Sequence, residues 1–404
     1  MIDYNPKCLV MVSSGQNNNK YYRMTPAGDT WVAEYGRIGS NSQSRTYNKY
    51  EFEKKYNEKL RKGYVDQTEL YKDLIDTEKP KQQEYKEIEN KAIAEIVERL
   101  QKMARQAISE NYTISSNKVT HAMVDEAQSI LNEFPQIVDV ADFNNALLNL
   151  FAVIPRKMSS VRNYMANSTD DFQRIIKREQ DLLDVMKGQI VEKQAIEEVD
   201  TSTPINNKTI LEQLGLEFEE CTLDDIARIK ANLGSCANQF HRAWVVKNIK
   251  TQKRFDDYIS KNNIKDIRLL FHGSRNENWW SIIQSGLVLR PTNAIINGKM
   301  FGYGIYYAPK ARKSLGYTSL SGSYWARGNS SSGFMALMNV AYGKPFDVFS
   351  FDSKYSGFNY EKLQNACPGA NCLHAHEGAM LRNDEIIVYK EEQCTIKYLV
   401  ELRN

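Results

Sequence analysis

Gly302-Tyr303-Gly304-Ile305-Tyr306-Tyr307-Ala308 decides how the second half of this chain is to be read. It begins like the glycine-rich turn of a dinucleotide-binding βαβ unit, where a third glycine lets helix and strand pack closely. Tyr307 stands at that third position here, and no βαβ unit with an acidic residue further on is evident. The fingerprint is therefore set aside. What remains is a short aromatic strand entered through two glycines and followed by Lys313-Ser314-Leu315-Gly316-Tyr317.

Other strand-like runs lie to either side. Arg268-Leu269-Leu270-Phe271 leads into His272-Gly273-Ser274-Arg275, and Asn383-Asp384-Glu385 leads into Ile386-Ile387-Val388-Tyr389. Met335 to Ala341 and Cys394 to Leu402 are further strand candidates, the last alternating as Cys394, Ile396, Tyr398, Val400 and Leu402. Short strands mixed with short helices over residues 209–404 predict a mixed α/β domain. Upstream the period changes. Ile93, Ile96, Val97, Leu100 and Ala104 mark one helical face. Val119, Met123, Ile130, Leu131 and Phe134 mark a second, with Ser115 or Ser116 placed to cap it. Phe172, Ile175, Ile176, Leu182, Leu183 and Met186 mark another, ended by Lys187-Gly188. Successive apolar stripes need one another for burial, so residues 91–190 predict an all-α bundle. Polar linkers are expected at 76–90, around Lys79-Pro80-Lys81, and at 191–208, around Thr203-Pro204. Residues 1–75 predict a small β-rich module: Val10 and Val12, Tyr21-Tyr22 and Trp31 to Tyr35 sit on strands separated by turn residues. A basic helix carrying Phe52, Tyr56 and Leu60 follows and stops at Gly63.

The whole is a multidomain α+β chain of 404 residues. With 42% hydrophobic and 25% charged residues it is expected to be soluble. No secretory signal is read at the N-terminus, and the most apolar later stretch, Ala146 to Pro155, is too short to span a bilayer. Six cysteines, four of them widely scattered, predict reduced thiols in an intracellular protein. A net charge of +3 permits nucleic-acid binding without arguing for it.

Taken singly, His272 reads as a structural hydrogen-bonder at a strand end, Tyr306 as a half-buried strand aromatic, and Glu385 as a solvated surface charge. Taken together and in this order, the three segments closely resemble the catalytic domain of the poly(ADP-ribose) polymerases, marked by a His–Tyr–Glu triad. Carried over residue by residue, the resemblance implies His272, Tyr306 and Glu385. It extends to His272-Gly273-Ser274, to Met300-Phe301-Gly302, and to Ser314 and Tyr317. It implies an ADP-ribosyltransferase fold built on antiparallel sheets, with NAD⁺ as substrate and no further cofactor.

The residue types suit that chemistry. Gly273 offers a backbone donor and acceptor to a carboxamide without a Cβ in the way. Ser274 belongs to the same NAD⁺-binding run, and Ser314 adds a hydroxyl. Tyr306 and Tyr317 offer faces for a pyridinium ring, and His272 orients a ribose hydroxyl. Glu385 suits an oxocarbenium-like state and an incoming acceptor hydroxyl. Met300 and Lys313 fall on the acceptor side.

The first module resembles the WGR domain of DNA-dependent members, with Tyr35-Gly36-Arg37 where the signature has Trp-Gly-Arg. Tyr35 could stack on a terminal base or sugar, and Arg37, Arg45, Lys49, Lys54 and Lys55 could meet phosphates. Interleaved Glu34, Glu51, Glu53 and Glu58 fit an ordinary mixed-charge surface as well. The helical segment resembles the family's regulatory helical domain, notably at Leu150 to Pro155 and Asp181-Leu182-Leu183-Asp184. These likenesses imply poly-ADP-ribosylation of proteins, the enzyme itself included, triggered by DNA ends or nicks. Mono-transfer, a catalytically silent DNA-end scaffold and hydrolysis of NAD⁺ stand as alternatives. A monomer is expected, in the nucleus of a eukaryote or the cytoplasm of a bacterial or viral setting. Cys367, Cys372, His374 and His376 have zinc-type donors at a non-standard spacing, so no metal is expected.

Overall fold

The computed structural model describes residues 2–38, 42–68, 85–112, 119–197, 208–289, 300–378 and 381–404, without the side chains of 191–197. The chain divides into two units. The first contains Met1–Gln82 and Gln106–Ile190, the second Gln83–Arg105 and Val191–Asn404.

In the first unit, strands β1 (Lys7–Ser13), β2 (Asn18–Ala27), β3 (Thr30–Arg37), β4 (Gln43–Asn48) and β5 (Val65–Asp66) form one antiparallel sheet in the order β4-β3-β2-β1-β5. The β2–β3 hairpin turns through Gly28 at φ +63°, which a side chain would disfavour. Helix α1 (Phe52–Arg61) lays Phe52 on the sheet, where Trp31 is fully buried and stacks on Tyr47 at 4.7 Å. Strand β4 was not evident in the sequence, because Gln43-Ser44-Arg45-Thr46 is exposed along its length; pairing with β3 makes it a strand.

The helical segment comprises α2 (Lys91–Asn111), α3 (His121–Glu133), α4 (Val140–Val153) and α5 (Phe172–Glu197). Thr120 caps α3 by accepting from the Met123 amide; Ser115 and Ser116 lie outside the described residues. Asp139 caps α4 through the amides of Ala141 and Asp142. Phe143 stacks on Phe172 at 3.9 Å and meets the tilted ring of Phe134 at 5.0 Å.

The expected stop at Lys187-Gly188 is corrected. Helix α5 runs on to Glu197, so the linker expected at 191–208 begins as helix. Gly188 costs a helix only about 1 kcal/mol, and Val185, Met186 and Ile190 around it are all buried. Thr203-Pro204 and Lys79 to Gln83 lie outside the described residues. Helix α2 is divided between the units, its residues through Arg105 grouping with the second.

The second unit holds two sheets. After α6 (Ile210–Leu214) come β6 (Leu216–Glu220), α7 (Leu223–Leu233), β7 (Phe240–Asn248), α8 (Ile249–Lys261), β8 (Ile267–Gly273) and α9 (Trp279–Ser285). Then follow β9 (Ile305–Tyr307), α10 (Ala311–Leu315), β10 (Ser332–Ala341), β11 (Pro345–Val348), α11 (Tyr360–Ala366), β12 (Cys372–Ala375), β13 (Glu385–Val388) and β14 (Cys394–Arg403). One sheet is antiparallel in the order β6-β7-β14-β10-β8. The other, β11-β12-β13-β9, has one parallel pair, β11 with β12. Strand β14 lies between β7 and β10 and is buried on both faces, so its alternation does not mark a wet side. Its buried Glu401 is met by Arg99 of α2 at 2.9 Å, and Arg99 also donates to Ser332 at 2.6 Å. Among the described residues no helix is long and apolar enough to cross a membrane. The fold is mixed α/β on largely antiparallel sheets, as expected.

Candidate active site

The two sheets of the second unit meet where β8 touches β9. Phe271 and Ala308 exchange backbone hydrogen bonds of 2.9 and 3.0 Å there. That junction gathers the three distant segments. His272 follows Phe271, and its Nδ1 donates to the Tyr306 carbonyl at 3.0 Å. A carbonyl only accepts, so Nδ1 carries the proton and the ring orientation is set. Tyr306 lies opposite Ile387 in the β9–β13 register, which places Glu385, two residues earlier, on the same face as Tyr306.

Each group is held by its own loop. The Tyr306 hydroxyl donates to the Gly302 carbonyl and accepts from the Phe301 amide, both at 3.0 Å. Burial holds this phenol's pKa well above its ordinary value, so it stays neutral. Gly302 sits at φ +75°, where a Cβ would lie 2.1 Å from the Phe358 carbonyl oxygen. Gly273 is just as constrained, since its Cβ would fall 2.0 Å from the Ser314 carbonyl oxygen. The glycine that leaves its backbone open to a ligand is thus also required by the approach of α10. Ser314 is buried on α10, and Tyr317 closes the following turn by donating its amide to the Ser314 carbonyl at 3.0 Å. The Ser274 hydroxyl accepts from Asn278 at 3.0 Å.

Glu385 is 4% exposed. Its Oε1 is in contact with the Lys313 ammonium, and among the described residues its Oε2 has no hydrogen-bond partner. Burial raises its pKa and the Lys313 charge opposes that rise, the burial being the larger effect. Met300 packs on the apolar core of the second sheet with Phe301, Phe358 and Tyr389. Trp325, not evident as a site residue in the sequence, stacks its ring on Tyr317 at 6.2 Å and 19°. Its only signal was an aromatic pair, Tyr324-Trp325, inside a glycine- and serine-rich turn.

The other expected residues are dispersed. Tyr35 is half-buried and stacks on Tyr22 at 5.6 Å, while Arg45, on the neighbouring strand opposite Ala33, and Lys49 are exposed. Arg37 is spent within its own unit, donating to the carbonyls of Asn17, Met158 and Ser159 at 2.8, 3.2 and 3.1 Å. All six cysteines are free thiols. Cys372 is buried with its thiol toward the Tyr342 carbonyl, so the four-residue set of Cys367, Cys372, His374 and His376 does not assemble.

Residues 224–404 match the family model of the Poly(ADP-ribose) polymerase catalytic domain, and residues 7–70 match that of the WGR domain. The second unit therefore carries an NAD⁺ ADP-ribosyltransferase. A putative poly [ADP-ribose] polymerase-like protein, 100L of Invertebrate iridescent virus 6, is 32% identical over 172 residues, 41% of this chain and 87% of that protein. Protein 101L of the same virus, described as uncharacterized, is 31% identical over 187 residues, 45% of this chain and 77% of its own. Poly [ADP-ribose] polymerase 2 of Zea mays is 24% identical over 98% of this chain and 69% of its own length. The chain belongs to the poly(ADP-ribose) polymerase family.

Proposed function

We propose that the protein is a poly-ADP-ribosyltransferase switched on by DNA ends or nicks. Residues 209–404 form its catalytic domain, 91–190 its regulatory domain and 1–75 its DNA-sensing module. The observation that carries the reading is the half-partnered carboxylate of Glu385, buried beside Tyr306 with Oε2 unmatched among the described residues. An unmatched buried oxygen costs about 1–3 kcal/mol, which a substrate hydroxyl offsets on binding.

In this mechanism the NAD⁺ carboxamide pairs with the Gly273 backbone and the Ser314 hydroxyl, with Ser274 supporting that turn. Tyr306 and Tyr317 flank the pyridinium ring. His272, donating through Nδ1 to Tyr306, presents the rest of its ring to a ribose hydroxyl. The bond between C1″ and nicotinamide nitrogen breaks, its electron pair leaves with neutral nicotinamide, and positive charge develops on the ribose. Glu385 accepts from the 2″-hydroxyl and stabilises that charge. The acceptor oxygen or nitrogen then bonds to C1″ and gives up its proton, with Glu385 polarising it when it is a hydroxyl. Lys313 holds Glu385 in place, and with Met300 it borders the acceptor side. Elongation follows when the acceptor is a hydroxyl of ADP-ribose already attached, to the enzyme itself or to another protein.

DNA ends are taken by the first module through Tyr35, Arg45 and Lys49, with Arg37 bracing the strand from behind. Binding there destabilises the helical domain and raises the population able to take NAD⁺. The enzyme works as a monomer in the nucleus or cytoplasm. Labelled NAD⁺ incubated with the full chain, with and without nicked DNA, tests this. A DNA-dependent ladder on protein supports the reading. A single band means mono-transfer, free ADP-ribose means hydrolysis, and unchanged NAD⁺ leaves a DNA-end scaffold. Deleting residues 91–190 is expected to give DNA-independent activity; a truncated enzyme as slow as the uninduced full chain rules out autoinhibition.

A further inference from the structure

The parallel pairing of β11 with β12 places Asp347 directly opposite His374. His376 lies two residues on from His374 and projects to the same side. Three metal-type donors from sequence positions almost thirty apart are therefore gathered by register. Asp347 Oδ1 is 2.7 Å from His376 Nε2 and 3.9 Å from His374 Nδ1, and the three donor atoms all lie within 4.8 Å of one another. Ligands about 2.0–2.1 Å from a tetrahedral zinc ion stand roughly 3.3 Å apart, so these separations bracket what the ion needs.

The surroundings favour an ion. On the far side of His374, Nε2 donates to Asp384 Oδ2 at 3.2 Å, and Asp384 is itself fixed by the Glu377 amide at 2.7 Å. A carboxylate behind the imidazole puts the proton on Nε2 and leaves the Nδ1 lone pair on the Asp347 side, the arrangement that orients metal-binding histidines. With the proton on Nε2, the Tyr342 hydroxyl donates to Nδ1 at 2.8 Å, a hydrogen bond that zinc displaces to reach that lone pair. Two carboxylates and two imidazoles match the charge of one divalent ion.

We infer that Asp347, His374 and His376 form a zinc site on β11 and β12, with Asp384 orienting His374 and water or the Tyr342 hydroxyl as the fourth donor. The two imidazoles now stack at 3.9 Å, and Phe349, 72% exposed, covers the other face of His376 at 4.5 Å. Zinc capture requires the partly exposed His376 ring to swing out of that stack, which the exposed Phe349 permits. Asp384 immediately precedes Glu385, so an occupied site stiffens the strand that carries the candidate catalytic carboxylate.

Full-length protein stripped with a chelator and titrated with zinc chloride by calorimetry tests it. One zinc per chain is expected, with a rise in melting temperature. Cobalt in its place should give the visible absorption of a four-coordinate ion. Asp347→Asn and His376→Ala alter the exposed half of the site and avoid buried His374; both are expected to abolish binding. Asp384→Asn retains every ligand and is expected to weaken zinc by about 10–100-fold. Failure to bind zinc, or equal binding by the Asp347→Asn and His376→Ala proteins, overturns the site.

Discussion

Two buried carboxylates, one in each unit, are treated in opposite ways. Glu179 on α5 is 2% exposed and both its oxygens are taken: Oε2 by Arg156 at 2.8 Å and Oε1 by Arg178 at 2.9 Å. Arg156, itself 1% exposed, lies over the Tyr112 ring at 4.7 Å, and its carbonyl accepts from Asn19 of the first sheet at 3.0 Å. Glu385 is nearly as deeply buried, yet among the described residues only Lys313 meets it and one oxygen is unmatched. A buried charge with both oxygens paired is a fastening. One left incomplete costs stability, and such sites cluster where chemistry completes them.

The contrast breaks most directly at Glu385. Glu385→Gln keeps the shape but loses the charge, so NAD⁺ affinity is expected to hold while elongation falls about 10³-fold, roughly 4 kcal/mol of transition-state stabilisation. Gel ladders from labelled NAD⁺ report it, and long chains from the variant would contradict the assigned role. Arg156→Met tests the other side. It strips the main partner from a buried carboxylate, a change that costs about 3 kcal/mol and lowers the first unit's melting temperature by roughly 6–12 °C. The double variant Arg156→Met/Glu179→Leu should recover most of that loss. If the single variant melts like the parent, the pair is no fastening and the comparison fails.

Lys313 ties the ionisation of Glu385 to pH. Burial raises the Glu385 pKa above the ordinary 4.5, so as pH falls the carboxylate is protonated earlier than a surface glutamate would be. Activity that needs the ionised form is therefore present above the raised pKa and lost below it. Lys313→Met removes the opposing charge, raises the pKa further and moves the acid limb of the kcat profile toward neutral pH. Losing a charge-assisted contact of roughly 1.5 kcal/mol lowers kcat about tenfold. An acid limb that stays in place would mean that the Lys313 contact does not govern ionisation.

How much of this could be read from the chain follows from what each feature rests on. Strands β8, β9, β10, β13 and β14 were legible because apolar runs such as Ile386-Ile387-Val388 are buried whichever face they turn. Strand β4 was not, being polar and exposed, and α5 was cut short because a glycine reads as a stop until its buried neighbours are known. The His272, Tyr306 and Glu385 segments were recognisable by type and order, but not the means of their convergence, a single backbone pair between Phe271 and Ala308. The role of Arg37 was hidden because three of its acceptors are main-chain carbonyls, two of them more than a hundred residues away. Asp347 was invisible beside His374 for a similar reason: parallel register, not spacing, makes them neighbours.

Trp325 gives the smallest expected effect and asks how far the incomplete site depends on its rim. Its amide and that of Ala326 both donate to the Gly316 carbonyl, at 2.9 and 3.0 Å, while Arg275 donates to the Ala326 carbonyl at 3.2 Å. The turn is thus pinned on both sides of the indole, which stacks on Tyr317 although it is 51% exposed. An aromatic pair of this kind is worth about 0.5–1.5 kcal/mol. Trp325→Ala is therefore expected to raise KM for NAD⁺ about threefold to tenfold with kcat unchanged, and Trp325→Phe to restore most of the loss. A fall in kcat instead would place Tyr317 in the transition state as well as in binding. Unchanged kinetics would mean that the α10 turn alone fixes Tyr317, leaving the unmatched oxygen of Glu385 as the feature that separates this site from an ordinary buried pair.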